Sequence, residues 1–96
     1  MDSAALILVT HEPTQQRFVA RVAGAEAYLR YVPAGDRVLD YASTFVPPQL
    51  RERHIASAIV RQALDYAREN GLRIIPSCWF VAGYVERHPE YGDLVK

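Results

Sequence analysis

Two periodicities divide the chain. In residues 17–46 apolar and polar side chains alternate, the two-residue repeat of strands with one buried face, and in residues 55–67 the apolar positions recur every three to four, the repeat of a helix. A short apolar run, residues 6–9, predicts a first strand, closed by the turn-like Thr10-His11-Glu12-Pro13-Thr14, with His11 as a turn residue. In Arg17–Val22, Phe18, Ala20 and Val22 share one face, and Arg17, Val19 and Arg21 the other. Ala23-Gly24 turns the chain into residues 25–32, where Ala27, Leu29 and Tyr31 line up, and Pro33-Ala34-Gly35-Asp36 makes the next turn. Residues 37–46 follow, with Leu39, Tyr41, Ser43 and Phe45 on one face and Val38, Asp40, Ala42, Thr44 and Val46 on the other. Pro47-Pro48, lacking amide hydrogens, stops the ladder. Short turns between successive strands imply an antiparallel meander.

Ile55, Ala56, Ile59, Val60, Ala63, Leu64 and Ala67 lay one apolar stripe along a helix that ends near Asn70-Gly71, with Gly71 as its C-terminal cap. Residues 72–78 predict a buried strand interrupted by Pro76. Proline cannot donate to a neighbour, so this strand either lies at a sheet edge or pulls away from its partner there, and the second case opens a ligand cleft. Trp79–Arg87 predicts a second helix with Phe80 and Tyr84 turned inward, Val81 and Val85 beside them, and His88-Pro89 as the stop; residues 90–96 read as a tail. The order gives an α/β protein of the α+β type: a mixed sheet in which an antiparallel meander is followed by helix, strand and helix. The last strand can pair parallel through the helical crossover.

Composition narrows the function classes. With 96 residues the chain is expected to form one domain, 1–96, around a single core. Eleven Lys and Arg balance eleven Asp and Glu with no long run of one sign, so neither nucleic acid nor membrane is an expected partner and any basic site is local. Cys78 is the only cysteine, which excludes an internal disulfide, and His11, His54 and His88 are scattered without zinc-like spacing to it, so no metal site is expected. The first residues carry no basic side chain, and the apolar run 4–9 is too short for a membrane span or a signal peptide, which predicts a cytoplasmic protein.

Candidate chemistry gathers where the last meander strand becomes the long helix, Pro47 to Ala56. A strand feeding a helix through a short basic turn collects free backbone amides at the helix start, and those amides with the helix dipole favour an anion such as phosphate. Many helices begin this way without a ligand, so the turn alone leaves both readings open.

The succession of strand, Val46-Pro47, basic turn, helix and strand resembles the core of the GNAT superfamily of N-acetyltransferases. Ser43-Thr44-Phe45-Val46-Pro47, the turn Arg51 to Ala56, Ala63-Leu64-Asp65, Ser77-Cys78-Trp79-Phe80 and Tyr84-Val85 resemble its small single-domain, GNAT-like group, over residues 17 to about 91. The resemblance implies acetyl-CoA as co-substrate, held in a wedge between the strand ending at Val46 and the strand 72–78. Backbone near Phe45 and Val46 would pair with the pantetheine arm like an added strand, and the turn amides of Arg51, Glu52, Arg53, His54, Ile55 and Ala56 would hold the pyrophosphate. The implied reaction is direct attack of a small amine or a protein amine on the thioester, which needs a base, an oxyanion donor and a proton for the departing thiolate. Tyr84 would give that proton; in a separate reading Cys78, its pKa lowered by a partner, is a nucleophile that itself accepts the acyl group. Beside these stand the packing readings, a core tyrosine with its hydroxyl satisfied and a small buried hydrophobe.

The chain departs from the family pattern at the turn. The superfamily usually has Arg-Gly-x-Gly-(Ile/Leu/Val)-(Gly/Ala), and here stands Arg51-Glu52-Arg53-His54-Ile55-Ala56, without either glycine. Glycine lets amides approach phosphates closely and takes left-handed conformations that cost other residues about 1–2 kcal/mol. Glu52 adds a like charge, worth about 1 kcal/mol of repulsion at ~4 Å in water-like surroundings, which Arg51 and Arg53 offset. Weakened CoA binding is therefore expected, and a non-catalytic domain of the same fold, acting through protein interaction, is the alternative function. Ser43 stands where the small group often has histidine before threonine; a serine hydroxyl is no base near neutral pH, and Ser43 reads as a small core-facing residue. An exposed first strand would allow pairing into a homodimer.

Overall fold

The computed structural model describes residues 7–51 and 54–96. Five strands, β1 (Val9–Glu12), β2 (Arg17–Val22), β3 (Ala25–Pro33), β4 (Val38–Phe45) and β5 (Arg73–Ile75), form one sheet in that order. The first three pairings are antiparallel and β4–β5 is parallel, as the crossover through helix α1 (Ile55–Glu69) requires. Helix α2 (Trp79–Arg87) follows β5, so the mixed-sheet order expected from the sequence is the one observed.

Alternation in β2 and β3 places Phe18, Ala20, Ala27, Leu29 and Tyr31 on one face, where with Tyr41 they meet the stripe Ile55, Ile59, Val60, Ala63, Leu64 and Ala67 of α1. All are buried, and each large aliphatic side chain among them contributes about 1.5–3 kcal/mol relative to exposure. Tyr41 is wholly enclosed, and its hydroxyl donates to the Ala63 carbonyl at 2.6 Å, tying β4 to the middle of α1. The β2–β3 hairpin closes on Ala23 and Gly24 with φ of 51° and 79°, the paired positive values of a two-residue turn that matches strand twist.

Three local expectations are corrected. The first strand is Val9–Glu12 rather than 6–9, and Leu6 lies outside the described residues. His11 is thus a strand residue, not a turn residue. It pairs with Phe18, stacks on that ring at 4.4 Å and shares a 2.7 Å hydrogen bond between Nε2 and the Tyr31 hydroxyl. Outward-pointing Glu12 accepts from Arg17 at 2.7 Å and Arg21 at 2.9 Å, so cross-strand ion pairs take the place of apolar alternation on this edge.

The second correction lies in β4. Arg30 pairs with Ser43 but Tyr31 pairs with Tyr41, leaving Ala42 as the extra residue of a bulge. The bulge resets the alternation, so Thr44 joins Tyr41 on the core face, while Ser43 turns outward to solvent and Phe45 lies beside Tyr28 on the opposite face, ring centroids 5.5 Å apart. Ser43 is therefore not core-facing. Third, the C-terminal segment is not a tail. A 3-10 helix, Pro89–Leu94, inserts Tyr91 and Leu94 into the core, Val95 bridges to Ile74, and the Lys96 amide donates to the Ile74 carbonyl at 2.9 Å. These bonds cover the outer edge of β5.

Candidate functional site

A cavity of about 740 Å³ opens between the end of β4, the turn into α1 and the start of α2, within the size range of small-molecule sites. Two sequence features hold it open. Pairing of β4 with β5 stops at Asp40 and Ile75, one residue before Pro76, so both expectations for that proline hold: β5 is the last strand of the sheet and leaves its partner there. The bulge at Ala42 then bends β4, and the chain beyond Pro76 returns at Cys78, whose amide donates to the Tyr41 carbonyl at 2.9 Å. Thr44, Phe45 and Val46 form one wall, and Cys78, Trp79 and Phe80 another.

The third wall is the turn, through Arg51, His54, Ile55, Ala56 and Ser57. Pro48–Leu50 makes a short 3-10 turn anchored by buried Leu50. Arg51 folds back so that its Nε donates to the Val46 carbonyl at 3.0 Å, clasping the turn to the strand and taking one lone pair of that carbonyl. Glu52 and Arg53 lie outside the described residues. His54, where the superfamily turn usually carries its second glycine, adopts the left-handed conformation, φ 57° and ψ 27°. Its side chain makes no capping hydrogen bond, and the first helical bond runs from the Ala58 amide to the His54 carbonyl at 3.2 Å. The amides of Ile55, Ala56 and Ser57 therefore have no intrahelical acceptor, and these three residues line the cavity.

Cys78 is buried at the N-terminus of α2, with Sγ 3.4 Å from the Thr44 hydroxyl oxygen across the cleft. Alternation alone does not point to Thr44; only the bulge, which alternation does not reveal, turns it toward Cys78. Tyr84 is separate. It is buried on α2, stacks on His88 at 4.1 Å and is not among the residues lining the cavity. Burial, more than the surrounding charges, raises its pKa above the ordinary tyrosine value, so it stays protonated. Among the described residues no cluster of three metal-ligating side chains occurs, and no helix is long and apolar enough to cross a membrane.

Residues 17–94 match the profile of the GCN5-related N-acetyl-transferase family. The chain belongs to this family. Among curated proteins it is similar to Protein NATD1 of Xenopus tropicalis, 32% identical over 93% of this chain and 84% of that protein, and to Protein NATD1 of Homo sapiens, 32% identical over 93% and 80%. Among solved structures, a GCN5-like protein from Staphylococcus aureus superposes with a TM-score of 0.73 at 22% identity, covering 93% of this chain and 87% of that one. This likeness carries the fold. The cleft lies where the sequence resemblance placed the acetyl-CoA wedge, with Phe45, Val46, Arg51, His54, Ile55, Ala56 and Cys78 all in its wall.

Proposed function

We propose that the domain is an N-acetyltransferase that takes acetyl-CoA into the cleft between β4, α1 and α2 and passes its acetyl group to an amine. What carries this reading is one continuous wall that runs from the amides opening α1 to the paired Cys78 and Thr44. The residues suit the ligand's parts. Amides of Ile55, Ala56 and Ser57, reinforced by the helix dipole, suit a diphosphate. Beyond Asp40 no β5 residue pairs with β4, so the backbone at Phe45 and Val46 is open on that side to an extended amide-bearing arm, apart from the carbonyl held by Arg51. When bound, acetyl-CoA supplies an activated thioester. Cys78 and Thr44 offer a thiol and a hydroxyl at the inner end, whereas Tyr84, outside the cavity lining, reads as a packing residue of α2. The acceptor is a small amine or an amine of a protein, and a half-open cleft without covering helices suits either.

The observation favouring a second reading, a non-catalytic domain with weakened ligand binding, is His54, a residue of the cavity lining that carries a side chain where a glycine would leave bare backbone. Titration with acetyl-CoA by calorimetry and thermal shift decides between them. Binding with a rise of several degrees in melting temperature at saturating ligand, followed by release of free CoA when amines are added, is expected. No shift at millimolar acetyl-CoA would sink the enzyme reading.

A further inference from the structure

Trp79 opens α2 at the rim of the cleft and is 82% exposed, the most open large hydrophobic side chain among the described residues. Packing does not explain an indole in this position, because its ring forgoes most of the burial that makes tryptophan favourable. Among the described residues its single ring contact is with Phe80, edge-on at 5.9 Å. Yet it shares one cavity wall system with His54, Ile55 and Ala56 of the amide-bearing turn. A ligand whose diphosphate rests on that turn and whose thiol arm runs inward to Cys78 keeps its remaining part, the nucleoside, toward the mouth. There the cleft offers one flat aromatic surface largely open to solvent, since Phe80 is half-buried and Phe45 is only 43% exposed.

We infer that Trp79 is a stacking platform for the adenine ring of acetyl-CoA. The inference rests on the acetyl-CoA reading above and adds to it a residue that replaces lost affinity. With no glycine at position 54 to bring the backbone close to phosphate, binding shifts from the diphosphate toward the base. Base–aromatic stacking needs no hydrogen-bond readout and no conformational change in the turn.

The chain has a single tryptophan, so the contact reports on itself through intrinsic fluorescence. Acetyl-CoA and 3′,5′-ADP, which carry adenine, are expected to change the emission saturably, whereas S-acetyl-4′-phosphopantetheine, which shares the arm and one phosphate, is not. Calorimetry on Trp79→Ala is expected to weaken acetyl-CoA about fivefold or more while leaving the phosphopantetheine thioester unchanged, with Trp79→Phe intermediate. Circular dichroism checks that both variants stay folded. Equal losses for the two thioesters, or an acetyl-CoA affinity that Trp79→Ala does not move, would overturn the stacking role while leaving the acetyl-CoA site standing. If neither thioester binds the unaltered protein, the site reading and the stacking role fall together.

Discussion

At the scale of single residues, His54 is the position where conformation and function meet. A left-handed φ of 57° costs an L-residue about 1–2 kcal/mol, while glycine gives back about 0.5–1 kcal/mol of that through its larger unfolded-state freedom. His54→Gly is therefore expected to stabilise the domain by up to about 1 kcal/mol in urea denaturation and to tighten acetyl-CoA binding by baring the turn backbone. A loss of stability near 1 kcal/mol, as glycine produces inside a regular helix, would contradict the assigned strain. Tyr84 poses a cleaner question, since Tyr84→Phe keeps the ring that stacks on His88 and deletes only the hydroxyl. Because Tyr84 lies outside the cavity lining, turnover and acetyl-CoA affinity are expected to stay unchanged. A fall of about a hundredfold would instead make that hydroxyl the proton donor to the thiolate.

At the scale of elements, β2 and α2 follow the sequence pattern to the residue because each carries one uninterrupted period and sharp stops, Ala23-Gly24 after one and His88-Pro89 after the other. The site was less legible. One of its walls depends on the bulge at Ala42, which has no local signal because an alanine is neutral to bulging; away from the cleft the polar edge strand Val9–Glu12 is equally hidden, since Thr-His-Glu resembles a turn until Phe18 and Tyr31 supply the slot for His11. The end of α1 was legible and gives a sharp test. Gly71, φ 66°, completes a Schellman cap in which the Leu72 amide donates to the Ala67 carbonyl at 2.8 Å and the Gly71 amide to the Arg68 carbonyl at 3.3 Å. Arg37 closes the cap from outside, donating to the Asn70 carbonyl at 2.8 Å and the Gly71 carbonyl at 3.2 Å. A Cβ on Gly71 would lie 2.7 Å from the Arg37 guanidinium, so Gly71→Ala both strains the backbone and displaces that group. The expected loss is about 1–2 kcal/mol by chemical denaturation, and in an Arg37→Ala background it shrinks to the backbone share. Full additivity of the two substitutions would show that Arg37 takes no part in the cap.

For the whole molecule, the attachment of β1 makes stability depend on pH through His11. The imidazole lies between Phe18 and Tyr66, each ring centroid 4.4 Å away, with Tyr31 on Nε2; Gln62, Asp65 and Glu69 of α1 line the same recess. Burial holds its pKa below the ordinary 6.5 despite the carboxylates nearby, because the charged form loses more hydration than they return. The unfolded chain therefore binds this proton more readily than the folded one. Its contribution to stability is complete above the unfolded value of 6.5 and declines as pH falls through that value, until both states are protonated below the folded pKa. Urea midpoints are expected to fall from pH 7.5 to pH 5, and His11→Gln, which keeps a hydrogen bond to Tyr31 without a titratable ring, is expected to flatten that interval. The carboxylates held low by arginines, Glu12 by Arg17 and Arg21 and Asp93 by Arg68, shed their smaller, solvent-screened contributions only in more acid solution, so the two regimes separate along one pH series. A midpoint that declines equally in both proteins between pH 7.5 and 5 would place the proton uptake elsewhere than on the edge strand.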